Sequence, residues 1–402
     1  MIPHPPPLSL YIHIPWCVRK CPYCDFNSHE QRGEVPEQEY VAALIADLEV
    51  SLPDVWGRRI HSIFMGGGTP SLFTPASIDQ LLTAIRTRVP LDSEAEITME
   101  ANPGTFEAAR FRGYHEAGVN RLSIGVQSFD DRKLEAIGRI HGGDEAHRAV
   151  EYALEVFGNV NIDLMYALPG QSADESAEDI REAIRHGTPH VSAYHLTLEE
   201  GTPFHRNPPA LPDHDRAAAM QDALEKNFAE AGYEHYETSA FAKAGFRSRH
   251  NLNYWKFGDY LGIGAGAHAK LSFLERVRRE VRIRQPQAYM NATLTGKPLR
   301  ESHEVDEKDL PFEFMLNALR LVDGFPSALF AERTGHPLTA IERQLEKAEE
   351  RGLLVRTHDS IRPTAHGRRF LNDLLELFLP GESTTRLVIP IVSAGYGPTV
   401  RG

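Results

Sequence analysis

The chain has 402 residues and three cysteines, and all three, Cys17, Cys21 and Cys24, fall within eight positions. No thiol elsewhere is left to form a disulfide with them, so the group reads as a site. A spacing of three residues and then two lets three thiolates converge on one side of a loop. Three thiolates suit three irons of a cubane 4Fe-4S cluster and leave the fourth iron without a protein ligand. An open iron implies a bound small molecule. A structural zinc ion is the other chemistry these residues support; it wants four ligands and would have to recruit His13 or His29.

The text around the triplet is a β-rich run, Tyr11-Ile12-His13-Ile14, then Pro15, Trp16 and the cysteines, with Tyr23 before the last of them and Phe26 two residues after it. This resembles the signature of the radical S-adenosylmethionine (SAM) superfamily, CxxxCxxC with an aromatic before the final cysteine. The resemblance implies that the open iron chelates the amino and carboxylate groups of SAM. It also implies that an electron from the cluster cleaves SAM to methionine and a 5′-deoxyadenosyl radical.

Such a loop needs a scaffold, and residues 8 to about 200 supply one by alternating short β-rich runs with amphipathic helical runs. Strands are expected at Ser9–Ile14, Ser62–Met65, Ala95–Glu100, Arg121–Val126, Val160–Met165 and His190–Leu198. Helices are expected between them, at Glu37–Leu52, Pro75–Val89, Phe106–Ala117, Asp144–Phe157 and Ala173–Arg185, several after Thr, Ser or Asp caps. The pattern predicts an α/β fold, a partial (βα)6 barrel around a parallel sheet. The polar residues that interrupt it sit at or near strand C-termini: the cysteine loop, Gly66-Gly67-Gly68-Thr69-Pro70, Glu100, Gln127 and Asp163. In βα barrels that rim carries the active site, so one shared pocket is expected.

Gly66, Gly67 and Gly68 by themselves indicate only a tight turn with close backbone approach. Beside a cysteine triplet they resemble the superfamily's glycine motif, which places Gly67, Gly68 and Thr69 at the methionine amino group of SAM. Glu100 ends a half-apolar strand and should point into the barrel mouth, although a solvated strand-end carboxylate would look the same. The blocks Ser123-Ile124-Gly125-Val126-Gln127-Ser128-Phe129 and Asn161-Ile162-Asp163-Leu164-Met165-Tyr166-Ala167-Leu168-Pro169-Gly170-Gln171 are similar to the coproporphyrinogen dehydrogenase branch of the superfamily. That likeness assigns SAM contacts to Tyr11, Glu100, Gln127, Arg139 and Asp163. Arg139 would equally suit a surface helix.

Within the branch the sequence departs from the oxygen-independent coproporphyrinogen oxidases, which continue CxxxCxxCxC and carry a longer arm before the cluster. Phe26 stands at the position of the fourth cysteine, and 16 residues precede Cys17. Both features resemble the branch's heme chaperones, the HemW group. His250-Asn251-Leu252-Asn253-Tyr254-Trp255 matches that group's HNxxYW motif. The match makes His250 the candidate heme ligand: a neutral imidazole is a good axial ligand and nearby aromatics can pack on a porphyrin. Without the motif, a structural histidine would be the better reading. Gly262-Ile263-Gly264-Ala265-Gly266-Ala267-His268 has its third glycine misplaced for a dinucleotide fingerprint and is read as close packing in the later barrel.

Asn207-Pro208-Pro209-Ala210-Leu211-Pro212 breaks the chain before an amphipathic helix, Asp213–Ala231, whose apolar stripe is expected to be core. From about Glu304 come helices at Pro311–Leu321, Pro326–Arg333 and Thr339–Arg351, a hairpin over Leu353–Arg362, and a helix over Ala365–Leu379. This order suggests a mainly helical, winged-helix-like module. The expected organisation is a radical SAM barrel over 1–206, a barrel extension over 207–303, the C-terminal module over 304–380 and a flexible tail over 381–402. The 43 basic residues against 56 acidic give a net charge of −13, which disfavours nucleic acid as a partner and favours packing or protein contact for the module. The N-terminus lacks a signal-peptide pattern and no apolar run is long enough to span a membrane, so a reducing cytoplasm is expected.

These readings converge on a heme chaperone with a 4Fe-4S cluster and SAM that passes heme to an apo-hemoprotein, such as a respiratory one met through transient contact at a membrane. The resemblance also suggests a cluster-dependent homodimer. Two alternatives stay open: a coproporphyrinogen III dehydrogenase working by hydrogen abstraction, and an interaction protein that keeps the cluster only to fold.

Overall fold

The first strand, Leu8–Ile14, is buried along its whole length, and its alternate residues face two different environments. Leu8, Leu10, Ile12 and Ile14 join the main apolar core. Ser9, Tyr11 and His13 point to the other side, and this division repeats across the sheet because neighbouring parallel strands are in register. Ser9, Tyr11 and His13 stand opposite Ser62, Phe64 and Gly66, Phe64 opposite Thr98, and Thr98 opposite Arg121. Ser123 and Gly125 lie opposite Asn161 and Asp163, which in turn lie opposite His190 and Ser192. One face is therefore aliphatic and packed under helices, while the other is polar and still largely shielded from water.

The computed structural model describes residues 2, 4–104 and 108–380. Its main sheet has twelve strands, in the order Leu299–Glu304, Val277–Arg282, His268–Ser272, Asp259–Ile263, Leu8–Ile14, Ile60–Gly67, Leu91–Ala101, Arg121–Gln127, Val160–Tyr166, His190–His195, Ala240–Ala242 and Glu234–Glu237. The six expected parallel strands are present, the sixth ending at His195 rather than Leu198. A seventh, Asp259–Ile263, joins them in parallel on the other side of the first. Strands to either side of these are antiparallel.

Helices Glu37–Val55, Pro75–Arg88, Gly143–Phe157 and Ala173–His186 cross between the strands. Thr74 and Ser172 cap two of them, accepting from the backbone N–H of Ser77 and Glu175, which satisfies donors that a helix start leaves open. The helix expected from Phe106 is seen as Phe111–Ala117; residues 105–107 and the tail after Pro380 lie outside the described residues. Asp213 caps the helix His214–Glu230, whose Ala217, Met220, Leu224 and Phe228 are buried as its periodicity requires.

The glycine-rich run after Asp259–Ile263 is a packing device. A Cβ on Gly262 would lie 2.0 Å from the His268 carbonyl oxygen, and one on Gly264, where φ is +106°, would lie 2.4 Å from the His13 carbonyl oxygen. Towards the C-terminus, helices Leu310–Ala318, Ser327–Thr334 and Glu342–Glu350 precede the antiparallel pair Leu354–Arg356 and Ser360–Pro363. Phe325–Pro326 adds a third short strand to that pair. Phe312, Phe314, Phe325, Phe330 and Leu345 form a second apolar cluster, which Ile2, Phe257 and Val277 also enter.

Candidate functional site

The cysteine loop leaves the first strand at Pro15 and is closed by a short parallel pairing of Trp16–Cys17 with His29–Glu30. Inside it the Cys24 N–H donates to the Cys21 carbonyl at 3.1 Å. Its far end is clamped by Asn27, whose amide donates to the carbonyls of Ala265 and Arg284 at 2.9 and 2.8 Å. His13 Nε2 donates to the Asn27 carbonyl at 2.9 Å, so Nδ1 is left to accept from the Tyr11 hydroxyl at 3.0 Å. Burial holds His13 neutral, with its pKa lowered to about 4. Both ring nitrogens are thereby committed within the fold.

All three thiols are free and half-buried. Burial pushes the Cys17 thiol up to about 11 and raises Cys24 as well, while the nearby sulfurs oppose one another's ionisation. Two hydroxyls offset this at Cys17 and Cys24, and a third donor reaches Cys21. The Thr69 hydroxyl bonds to Cys17, Ser28 lies 3.7 Å from the Cys24 sulfur, and Arg139 donates to the Cys21 sulfur at 3.8 Å. Among the described residues no group of three or more His, Cys, Asp or Glu side chains is gathered tightly enough for a single metal ion. His13 is engaged on both ring nitrogens and cannot serve as the fourth ligand of a zinc ion, whereas a cubane asks each thiolate to meet a separate iron.

The glycine turn is pressed against this loop from the second strand. Gly68 donates to the Ile14 carbonyl and Thr69 to the Trp16 carbonyl, both at 2.7 Å, and Gly67 donates to the Glu100 carboxylate at 3.1 Å. A Cβ on Gly67, where φ is +112°, would stand 2.5 Å from the His13 ring, and one on Gly68 would stand 2.4 Å from the Trp16 carbonyl. Only glycine fits, and because these three N–H groups are spent, the turn has acceptors to offer a ligand. That suits the N–H donors of an amino group.

Glu100, Gln127 and Asp163 come to the same rim from three successive strands. Burial, with the charge of Asp163 adding to it, lifts the Glu100 carboxyl to about 8. Burial also raises Asp163, although the Ser123 hydroxyl and the Asn161 amide each donate to it at 2.9 Å. Gln127 carries a φ of +69°, unusual for a residue with a side chain, where the strand pairing shifts register after Gly125. Strain of this kind is held in place by its surroundings and collects at functional sites.

Arg139 lies beyond the short helix Asp131–Ala136 and is not on a helix surface. Besides Cys21 it donates to the Asn102 side-chain carbonyl at 2.8 Å and the Gly125 carbonyl at 2.6 Å. The Asn102 amide then donates to the Thr69 hydroxyl at 3.0 Å. Asn102, Asn27 and Ser28 were not singled out from the sequence. Asn102 had a signal, its place two residues after Glu100; Asn27 and Ser28 follow the cysteines closely but belong to no pattern.

His250 lies deeper than this rim, at the start of the helix Arg249–Trp255. Its ring packs 4.9 Å from Phe64 and 6.5 Å from Tyr11, and Nδ1 is 3.5 Å from the Ser62 hydroxyl. Burial, aided by the charge of Arg121, lowers its pKa to about 3, so the imidazole is neutral. Glu96 caps the helix, accepting from the N–H groups of Arg249 and His250. Asn253 anchors it through bonds of 2.9 Å to the Ser9 hydroxyl and the Asp259 carbonyl. Tyr11 links the two regions, in contact with His250 on one side and His13 on the other.

A parallel αβ sheet with a three-cysteine loop after its first strand and a glycine turn after its second defines a radical SAM protein, whose cofactors are a 4Fe-4S cluster and SAM. The model of the radical SAM superfamily matches residues 11–184, and that of the HemN C-terminal domain matches residues 305–370. Along nearly its whole length the chain is 48% identical to the heme chaperone HemW of Haemophilus influenzae, covering 95% of this chain and 100% of that one. It is 50% identical to HemW of Escherichia coli, covering 93% and 98%. The mitochondrial radical S-adenosyl methionine domain-containing protein 1 of Mus musculus is 34% identical over 92% of this chain and 87% of that one. The chain belongs to the HemW family. Its fold is also that of the E. coli coproporphyrinogen III oxidase HemN, with a TM-score of 0.77 at 20% identity over 93% of this chain and 90% of that one.

Proposed function

We propose that the protein is a heme chaperone that binds heme and delivers it to an apo-hemoprotein. The observation that carries this reading is the near-half identity, across the full length, to proteins named as heme chaperones. Cys17, Cys21 and Cys24 hold the cluster. Tyr11, Gly67, Gly68, Thr69, Glu100, Gln127, Arg139 and Asp163 enclose SAM: the turn accepts from the N–H bonds of its amino group, and the carboxyl groups of Glu100 and Asp163 face its positive charge. The bound cluster and SAM supply one-electron chemistry. Neutral His250, backed by Phe64 and Tyr11, ligates heme iron through its imidazole. Oxidation of coproporphyrinogen III is supported less well: the likeness to HemN is one of fold, and Phe26 provides no thiol where that enzyme's pattern has one.

The setting in which this occurs is the cytoplasm, with a reduced thiol cluster and a cluster-dependent homodimer. No helix among the described residues is long and apolar enough to cross a membrane, so a membrane-bound client is met by surface contact. The proposed organisation places the cofactors in 1–206, His250 in 207–303 and a docking module in 304–380. An anaerobic heme titration of the cluster-reconstituted protein, read in the Soret region beside His250→Ala, tests the reading. Saturable binding that the variant loses supports it; the absence of saturable binding in the wild type overturns it.

A further inference from the structure

We propose that Arg121 and Thr98 form a seat for a carboxylate of the porphyrin, on the polar face of the sheet. The inference rests on the heme-binding reading and adds where the ligand's anionic edge lies. Tyr11, Phe64, Thr98 and Arg121 stand opposite one another on four successive parallel strands, forming one row across that face. The His250 ring lies over the aromatic end of the row. At the other end Arg121 is 2% exposed, and its Nε has no hydrogen-bond partner. No carboxylate among the described residues lies within 4 Å of its guanidinium, although its charge reaches Asp163 on the next strand and helps hold that carboxyl down. Beside it the Thr98 hydroxyl is fully buried and also has no partner.

An arginine keeps its charge under all conditions in which a protein folds, and a buried charge without a counter-charge is costly. Three carboxylates on the neighbouring strands, Glu96, Glu100 and Asp163, each have bonded partners of their own, and Glu100 accepts from the Gly67 N–H. Glu96 caps the helix that carries His250, and Asp163, which feels the charge of Arg121, takes its hydrogen bonds from Ser123 and Asn161. The guanidinium is left for an anionic group brought by a ligand, and its planar fork matches a carboxylate in bidentate fashion. A partnerless hydroxyl alongside supplies one more donor. Arg121 is two strands from Phe64, about 10 Å at the usual strand spacing, so one flat ligand can meet a neutral imidazole at its iron and a cation at its edge.

The experiment is an anaerobic titration of the reconstituted protein with heme and with heme dimethyl ester, for the wild type, Arg121→Gln and Arg121→Lys. The ester should bind the wild type about ten- to a hundredfold more weakly than heme, the loss expected for a hydrogen bond to a charged group. Arg121→Gln should bind heme as weakly as the wild type binds the ester and no longer distinguish the two, while Arg121→Lys regains part of the difference. Equal affinity of the wild type for heme and ester overturns the seat, and this arm needs no variant to fold. Undiminished heme affinity in Arg121→Gln overturns it too. Failure of the wild type to bind heme at all overturns the heme-binding reading and this inference with it.

Discussion

Arg139 places one guanidinium N–H 3.8 Å from the Cys21 sulfur and another 2.8 Å from the Asn102 carbonyl, so that a single side chain reaches two of the three cysteines, the second through Asn102 and Thr69. Donors to a cluster sulfur stabilise the reduced, more negative state and raise the reduction potential. Arg139→Gln should keep full iron and sulfide but lower the cluster midpoint, on the order of tens of millivolts. A redox titration followed by electron paramagnetic resonance reads this directly. An unchanged midpoint would remove Arg139 from the cluster's environment.

Two glycines with positive φ separate backbone strain from lack of space. Gly158 has a φ of +65° and nothing within 4 Å of a built Cβ, whereas Gly67 has a φ of +112° and the His13 ring 2.5 Å away. Gly158→Ala should cost about 1 kcal/mol for the left-handed backbone alone. Gly67→Ala should cost about 2–4 kcal/mol, because His13 is fixed by two hydrogen bonds and cannot yield. Urea denaturation of both variants gives the comparison, and equal losses would mean that His13 moves aside.

The parts of this site that follow a period could be read from the sequence, and the parts that depend on register could not. Alternation located the six parallel strands, and the strand ends located Glu100, Gln127 and Asp163. Strand Asp259–Ile263 was missed because Gly262 within it and Gly264 just after it hide the β pattern; they let the His268 and His13 backbones approach closely. Arg121 opens an ordinary strand, and only the pairing that sets it opposite Thr98 reveals two polar groups without partners. His250 was legible as a motif, but its burial against Phe64 was not, since that contact joins residues 186 positions apart.

The elevated Glu100 carboxyl makes SAM affinity depend on pH. At pH 7 a group with a pKa of about 8 is mostly protonated, and a cationic ligand prefers its ionised form. Affinity should therefore rise with pH through about 8, by up to tenfold per unit below it. The amino group of SAM titrates in the same range, so Glu100→Gln is the control. The variant should bind SAM more weakly above pH 8 and converge with the wild type near pH 6. Parallel profiles for the two proteins would separate Glu100 from the ligand's charge.

Asp47 acts on the site without touching it. Its fully buried carboxylate accepts from Arg282 at 3.0 Å, from the Tyr289 hydroxyl at 2.7 Å and from the Gly264 N–H at 3.2 Å. Gly264 lies against the His13 carbonyl, and Tyr40 joins the same two segments by donating to the His13 carbonyl and accepting from the Ala265 N–H, both at 2.8 Å. Removing the carboxylate leaves the buried Arg282 with Glu280 as its one counter-charge and the Ser51 hydroxyl as its other partner and frees the backbone that holds the cysteine loop in place. Asp47→Ala should lose about 3–5 kcal/mol of stability, the usual result of breaking a buried pair from one side. It should also shed iron faster than the wild type when both are held well below their unfolding transitions, because the loosened 264–267 turn no longer fixes Asn27 and His13. Equal rates of iron release to a chelator, in the face of lower stability, would confine Asp47 to the core and leave the cysteine loop independently held.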